Sequence, residues 1–588
     1  MLQKDKKRHI NRHEISSCLL ILKILNGEFM NKWWKKAFGY QIYIRSFKDS
    51  NQDGIGDIRG IIEKLDYLSY LGINLIWICP FFQSPMDDNG YDVSDFYDIS
   101  SDYGDMQDLK ELILKAHEKN IRIIIDLILN QTSDEHHWFQ ESRKSKDNPY
   151  RDYYIWAPPR YIDGERVEPT NWASFFGGSC WEYDSLTNEY YMKIFSRKMP
   201  DLNWKNPKVR EEIVSMATYW LDLGIDGFRL DAVAHLGKSD FIDSTYQTNE
   251  KYKPEWEKYS NLPVVHDYLK ELNVKVFSKY DIITIGEVGG RALVQDALLY
   301  VSPKRKELNM VFNFDHNWCN NGWNRKKEEK LKINVSQMKE IFNKWQTGLQ
   351  GKGWNAIYWL NHDQPRVASH YGDYDYFNES TKMLAICMYF MWGTPFIYNG
   401  EEIGMTNPKF RSIEDFKDVS IHNQYRINVL ENKQNPNDFI DYVSYSTRDN
   451  ARTIMQWSRD KYAGFGKVKP WNMINENYHT INVQDEMEDK DSILNFYRKV
   501  IDIRLNSEYN NVIALGKYQQ LVKEHSQLYL YLRQYRKKKI LVVCNLTNEK
   551  VEIDELEYRI KKIIISNYKR KEIPQEFAPY EAIVLEVE

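Results

Sequence analysis

Three acids and an arginine sit where apolar runs give way to loops: Arg229 and Asp231 in GFRLDAV, Glu287 in IITIGEV, and Asp363 in WLNHDQPR. Each run reads as a short strand that delivers a charged group to its C-terminal end. In a barrel of parallel strands with outer helices those ends converge on one face, where catalytic groups gather. Two carboxyl groups flanking a sugar linkage are the minimum equipment for glycoside hydrolysis. One strand-end acid alone is more simply a helix cap. Three in this arrangement favour chemistry.

The elements that must position them recur from Tyr40 onward as an amphipathic helix, a small turn and a buried strand. Ile58, Ile61, Ile62, Leu65 and Leu68 have helical spacing and predict a helix over 58–71, ended by Gly72. Strands are expected at 39–44, 73–80, 121–129, in GFRLDAV and IITIGEV, and at 309–314, 354–360 and 394–400. Eight near-continuous apolar strands alternating with helices indicate an α/β fold, a closed (β/α)8 TIM barrel. No GxGxxG follows the first strand, which weighs against dinucleotide binding. Two segments interrupt the alternation, and long insertions at strand C-terminal ends wall active sites. They suggest a loop-rich domain at 132–204, after the third strand, and an inserted subdomain at about 401–475. The barrel then comprises 30–131 and 205–509. Short strands from about 510 to 588 predict a C-terminal antiparallel β-sandwich without chemistry of its own.

A chain of 588 residues with a net charge of −4 carries no basic field for nucleic acid. Its 18 Trp and 41 Tyr suit core packing first and sugar stacking second. The six cysteines are scattered, with no CxxC, which suits a reducing, cytoplasmic setting and argues against structural zinc. No apolar run approaches the ~18 residues of a membrane span. Residues 1–29 begin basic and contain a broken apolar stretch with no small-residue cleavage site, so they make a weak signal peptide. They are expected to be disordered, or to precede a true start at Met30.

Between the first strand and its helix, Asp49, Asn51, Asp53 and Asp57 alternate around Gly54 and Gly56. Oxygen side chains around a tight turn can wrap Ca²⁺, with Mg²⁺ as the alternative. The loop departs from an EF-hand, because Gly60 stands where that pattern needs a bidentate Glu.

From Trp33 to the C-terminus the chain resembles the α-amylase superfamily (glycoside hydrolase family 13), above all its oligo-1,6-glucosidase and α-glucosidase branch. The resemblance rests on QIYIRSF, DSNQDGIGD, DDNGYDVSDF, GFRLDAV, IGEV, LNHDQPRV, GTPFIYNGEEIGM and STRDNARTIMQW, in that order. It implies Asp231 as nucleophile, Arg229 keeping that carboxylate ionised, and Glu287 as acid/base with a raised pKa. Asp363 would stabilise the transition state, with His362 beside it. Asp88 and Tyr91 would close the pocket around a terminal glucose, with Arg448 or Arg452 pairing with Asp88. Calcium would be held by Asp49, Asn51, Asp53, the Ile55 carbonyl and Asp57. No organic cofactor is implied; the partners are small oligosaccharides, and a monomer or weak dimer is expected.

Departures from the family's pattern are few. Gln131 replaces the usual histidine, with altered geometry toward the glucose O6 and no titratable charge. Asn399 and Ile454 replace Gln and Pro. Ala232 follows the nucleophile, where valine often marks α-1,6 preference, and MPDLNW mixes features of two groups. The resemblance therefore leans to a retaining, exo-acting oligo-1,6-glucosidase. The alternatives are an α-1,4-glucosidase, a sucrose or trehalose-6-phosphate enzyme, or an inactive relative serving as a transporter partner.

Overall fold

The computed structural model describes residues 32–322, 330–553 and 558–588; the expectations for 1–29 and for Cys18 lie outside them. Eight parallel strands form the centre: β1 (Gly39–Ile42), β2 (Leu75–Ile78), β3 (Arg122–Ile128), β4 (Gly227–Asp231), β5 (Ile283–Glu287), β6 (Met310–Phe312), β7 (Ala356–Ile357) and β8 (Thr394–Tyr398). They pair in sequence from β1 to β6, and β8 pairs with both β1 and β7. A parallel bridge between Val311 and Asn355 closes the ring between β6 and β7. The barrel is complete.

The outer helices follow from amphipathic spacing and local capping. Met106–Glu118 starts at Asp105, whose side chain accepts from the Gln107 and Asp108 N–H groups in a reciprocal capping box. Pro207–Asp222 is capped by Asn206 and begins with proline, whose missing N–H costs nothing at that position. The helix expected over 58–71 is broken instead at Lys64 into Ile58–Glu63 and Leu65–Leu71, because Lys64 leaves helical geometry at φ −101°, ψ 4°. Side-chain periodicity survives such a break, so the sequence pattern does not register it.

Strands β6 and β7 are shorter than their apolar runs. Trp354, Tyr358, Trp359 and Leu360 are all buried, yet only Ala356–Ile357 joins the ladder. Apolar character marks burial, whereas ladder length is set by the partner strand.

The 132–204 segment holds more regular structure than its composition implies. Trp156–Ala157, Glu189–Met192 and Trp181–Asp184 form a small antiparallel sheet, and Arg160–Ile162 pairs with Glu165–Val167. The stretch after β8 is helical, with Val419–Tyr425, a π-helical stretch at Arg426–Glu431, and Pro436–Ser444.

At the C-terminus, β9 (Lys517–Leu521), β10 (Leu528–Tyr535), β11 (Lys538–Asn545), β12 (Ile560–Ser566) and β13 (Ala582–Val587) make an antiparallel sheet ordered β9-β10-β11-β13-β12. Alternation along LYLYLRQY assigns its two faces. Tyr529 and Tyr531 join the barrel's core, while Leu528, Leu530 and Leu532 pack into a second cluster with Leu541, Val543 and Phe577. Arg533 points toward the barrel and donates to the Phe390 carbonyl.

Candidate active site

Alternation on β4 turns Arg229 and Asp231 to the same side of the strand, into the barrel. The parallel register sets Arg229 beside Asp126 of β3. Arg229 is fully buried and bonded to three carboxylates. Its Nη1 donates to Asp126 Oδ1 and, at 2.6 Å, to Asp231 Oδ1. Its Nη2 donates to Glu287 Oε2 at 2.5 Å. The two acids therefore hang from opposite nitrogens of one guanidinium. Ala232 takes a left-handed conformation at φ 46°, unusual for a residue with a Cβ, and its N–H donates to Glu287 Oε2 at 3.2 Å. Asp231 Oδ2 and Glu287 Oε1 make no hydrogen bond to the described residues. Each acid is thus pinned by one oxygen and open at the other.

Asp126 was not among the sequence-derived candidates. It lies within IRIIIDLIL, is fully buried, and accepts from Trp77 Nε1 at 2.8 Å as well as from Arg229. A charge inside an otherwise apolar strand was the signal available for it.

Asp363 follows β7 and faces His362 and two arginines. His362 Nε2 lies 3.1 Å from Asp363 Oδ2, and Arg452 Nη2 lies 2.8 Å from Oδ1. Gln41 Nε2 lies 2.8 Å from His362 Nδ1. The Tyr91 ring stacks on His362 with centroids 5.2 Å apart and planes 6° apart.

At the floor, Arg448 Nη2 binds Asp88 Oδ1 at 2.8 Å, so of the two arginines expected there Arg448 makes this pair and Arg452 serves Asp363. Arg448 also grips Asp418 through Nε at 2.7 Å and Nη2 at 2.5 Å. Asp418 was likewise missed: it starts a helix of the inserted segment, and no periodicity ties it to a residue 30 positions away. The turn presenting Asp88 and Tyr91 is tied by Asp92, which accepts from Ser84 Oγ and from the Asp87 and Asp88 N–H groups. Gln131 is buried; its Nε2 donates to the Tyr91 carbonyl at 3.4 Å and its Oε1 has no partner. The Tyr91 hydroxyl is also without one. Tyr91 and Gln131 line a cavity of about 270 Å³ together with Asp88, Asp231, Glu287, His362, Asp363 and Arg448 among others.

Electrostatics separates the acids. Burial, then the neighbouring carboxylates of Glu287, Asp126 and Asp363, push Asp231 well above the usual carboxylate range; Arg229 pulls the other way and is outweighed. Arg229 acts in the expected direction, against burial and the neighbouring carboxylates. Too many carboxylates share one guanidinium, and the cluster retains a proton. Asp363 is also buried, yet His362, Arg448 and Arg452 hold it well below its ordinary value.

The acidic loop stands apart from this site. Asp49 accepts from the Gln52 and Gly54 N–H groups, and Asp57 from Ser50, Asn51 and Gly60. Among the described residues no three His, Cys, Asp or Glu side chains converge as a metal cluster. In type the donors fit a hard cation: Asp49, Asn51, Asp53, Asp57 and the Ile55 carbonyl offer oxygen only.

The family model for the α-amylase catalytic domain matches residues 41–512. The chain belongs to the α-amylase family. Among its relatives is an oligo-1,6-glucosidase of Parageobacillus thermoglucosidasius, 46% identical over 94% of this chain and 99% of that protein. An oligo-1,6-glucosidase of Bacillus cereus is 45% identical over 95% and 99%. Among solved structures, the trehalose-6-phosphate hydrolase of Bacillus licheniformis superposes with a TM-score of 0.86 at 40% identity, covering 95% of this chain and 100% of that one. An isomaltulose synthase from a Klebsiella species superposes with a TM-score of 0.88 at 39% identity, covering 95% and 99%. Among the described residues no helix is long and apolar enough to cross a membrane.

Proposed function

We propose that the protein is a retaining α-glucosidase that removes single glucose units from the non-reducing ends of short α-glucosides, with α-1,6 links preferred. One observation carries this reading: Asp231 and Glu287 are each held by one oxygen on Arg229, with the other oxygen open, beside a cavity closed at its floor by the Asp88–Arg448 pair. A double displacement uses that arrangement directly. Asp231 attacks the anomeric carbon as the glycosidic C–O bond breaks, and the Glu287 proton passes to the leaving oxygen. A water then gives its proton to Glu287 and attacks the same carbon, releasing glucose and freeing Asp231. Asp363 and His362 grip hydroxyls and favour the distorted ring. Tyr91 and Gln131 form part of the wall around the terminal glucose.

The α-1,6 preference draws on the oligo-1,6-glucosidases, which are more similar in sequence to this chain than the two solved structures are. The retained Asp231, Glu287 and Asp363 weigh against an inactive transporter partner. The same proposal includes a structural Ca²⁺, or Mg²⁺, on the 49–57 loop, with no part in the reaction. Isomaltose, panose, maltose, sucrose and trehalose 6-phosphate assayed side by side, with the product anomer followed by NMR, test the function. α-Glucose appearing first, fastest from isomaltose or panose, is expected. Starch cleaved within its chains, or β-glucose appearing first, overturns the reading.

A further inference from the structure

Asp363 sits on the loop after β7, whereas the arginines that hold it, Arg448 and Arg452, come from a loop some 85 positions later. Something must keep the two loops aligned, and Arg366 is placed to do so. It follows Asp363 by three residues and is fully buried. Its Nη1 donates to the Asn399 carbonyl at 2.6 Å, just past the end of β8. Its Nε donates to the Asn450 carbonyl at 3.3 Å, and its Nη2 to the Ala451 carbonyl at 2.8 Å. Longer bonds run from Nη2 to the Thr453 carbonyl at 3.5 Å and to Thr453 Oγ1 at 3.4 Å. The Tyr398 hydroxyl donates to the same Ala451 carbonyl at 3.0 Å. The carbonyls that Arg366 takes from this loop thus lie between Arg448 and Arg452 or directly after them.

Among the described residues no carboxylate bonds to the Arg366 guanidinium. Burial is the largest influence on it and lowers its pKa, with Glu402 and Glu401 opposing from a distance. A buried charge is costly unless it is hydrogen-bonded. Here the compensation comes from the oxygens of two chain segments that the fork of N–H groups reaches together. An ammonium is a single point with three donors and cannot address both segments with the same geometry. Arg366 does not line the cavity. Its effect there passes through its neighbours: Arg452 Nη2 and Arg448 Nη1 lie 2.8 and 3.5 Å from the same Asp363 oxygen, and Arg452 Nε donates to the His362 carbonyl at 3.2 Å. Ser46 and Asn472 hold the Arg452 carbonyl independently, so loss of Arg366 shifts the 450–453 stretch without freeing the whole loop.

We propose that Arg366 is a positioning residue for glycoside cleavage, setting Arg448 and Arg452 against Asp363 without touching the substrate. The proposal rests on the glucosidase reading and deepens it. Its consequence is a loss in kcat more than in KM, because Asp363 acts on the distorted ring of the transition state.

The test is a double-mutant cycle on Arg366 and Arg452, with kcat and KM measured on p-nitrophenyl α-glucoside well below the Tm of every variant. Arg366→Met is expected to lose about 10²-fold in kcat, the order expected of a small misplacement. Arg366→Lys should recover part of that loss. Combined with Arg452→Lys, Arg366→Met should cost little more than the worse single change, since both act through Asp363. Losses that multiply in the double variant, or a lowered Tm with kcat and KM unchanged, assign Arg366 to the fold alone and overturn the proposal. Should Arg366→Met not fold, the same cycle is run with Arg366→Lys, and multiplying losses there overturn it equally. A wild type that hydrolyses no α-glucoside overturns the underlying reading and takes the proposal with it.

Discussion

At the scale of single residues, the site is a contest among carboxylates for Arg229. Replacing Asp231 by Asn removes the attacking oxygen, and kcat should fall by at least about 10⁴-fold, read by steady-state kinetics. Glu287→Gln should cost far more on isomaltose than on an aryl glucoside, whose leaving group needs little protonation; equal losses would deny Glu287 the acid role. Because burial and neighbouring acids raise Asp231, kcat/KM should describe a bell against pH. Its acid limb belongs to loss of the charged nucleophile and its alkaline limb to loss of the cluster's last proton. Gln131→His tests the departure at the pocket wall: altered kcat/KM for isomaltose is expected, and an unchanged value would remove Gln131 from glucose recognition. Of these residues, the strand-end acids were legible because parallel strands expose their C-terminal groups at one face. Asp126 was hidden by its apolar neighbours, although its charge in a buried strand had to be compensated by something.

Among elements, the inserted segment completes the floor. Helix Val419–Tyr425 begins at Asp418, which ties that segment to Arg448, and Arg448 in turn holds Asp88 at the end of the β2 loop. Burial opposes ionisation of Asp418, but Arg448 and then Arg452 hold its carboxyl down to about 2. A depressed acid stabilises the fold above its unfolded pKa of about 4, and that contribution disappears as the pH falls through about 2. Asp418→Asn should therefore lower stability at pH 7 by on the order of 2 kcal/mol. Thermal melts should show the gap from wild type narrowing below pH ~4; a gap independent of pH would assign the loss to packing instead. The 174–178 strap is fixed differently, through Asn423 Nδ2 donating to the Phe176 carbonyl at 2.6 Å, with Gly177 and Gly178 at φ 90° and 75°. The contacts that Asp418 and Asn423 of the 401–475 segment make were not legible in sequence, since contacts between loops carry no period. The barrel's helices and strands were legible for the opposite reason: repeated burial imposes a repeated pattern.

For the whole molecule, a raised acid and an acidic loop set the conditions under which the fold persists. Glu401 and Glu402 follow β8, fully enclosed and hydrogen-bonded by Tyr389, Tyr497, Tyr40 and Tyr67. Burial pushes Glu401 up to about 8. A raised carboxyl stabilises the protein most below its unfolded pKa near 4, and that contribution is lost as pH rises through about 8. Glu401→Gln should accordingly gain in Tm over the wild type as the buffer is taken from pH 7 to 9. If the 49–57 loop binds Ca²⁺, chelation should lower Tm by several degrees and added Ca²⁺ restore it; a Tm indifferent to chelator, with no metal by elemental analysis, would dismiss the ion. The floor pair has one more consequence. Asp88 and Arg448 are 360 positions apart. During synthesis, Asp231 and Glu287 leave the ribosome well before the arginine that pairs with Asp88. A nascent chain halted short of Arg448 carries Asp231, Glu287 and Asp363 but leaves Asp88 without this partner.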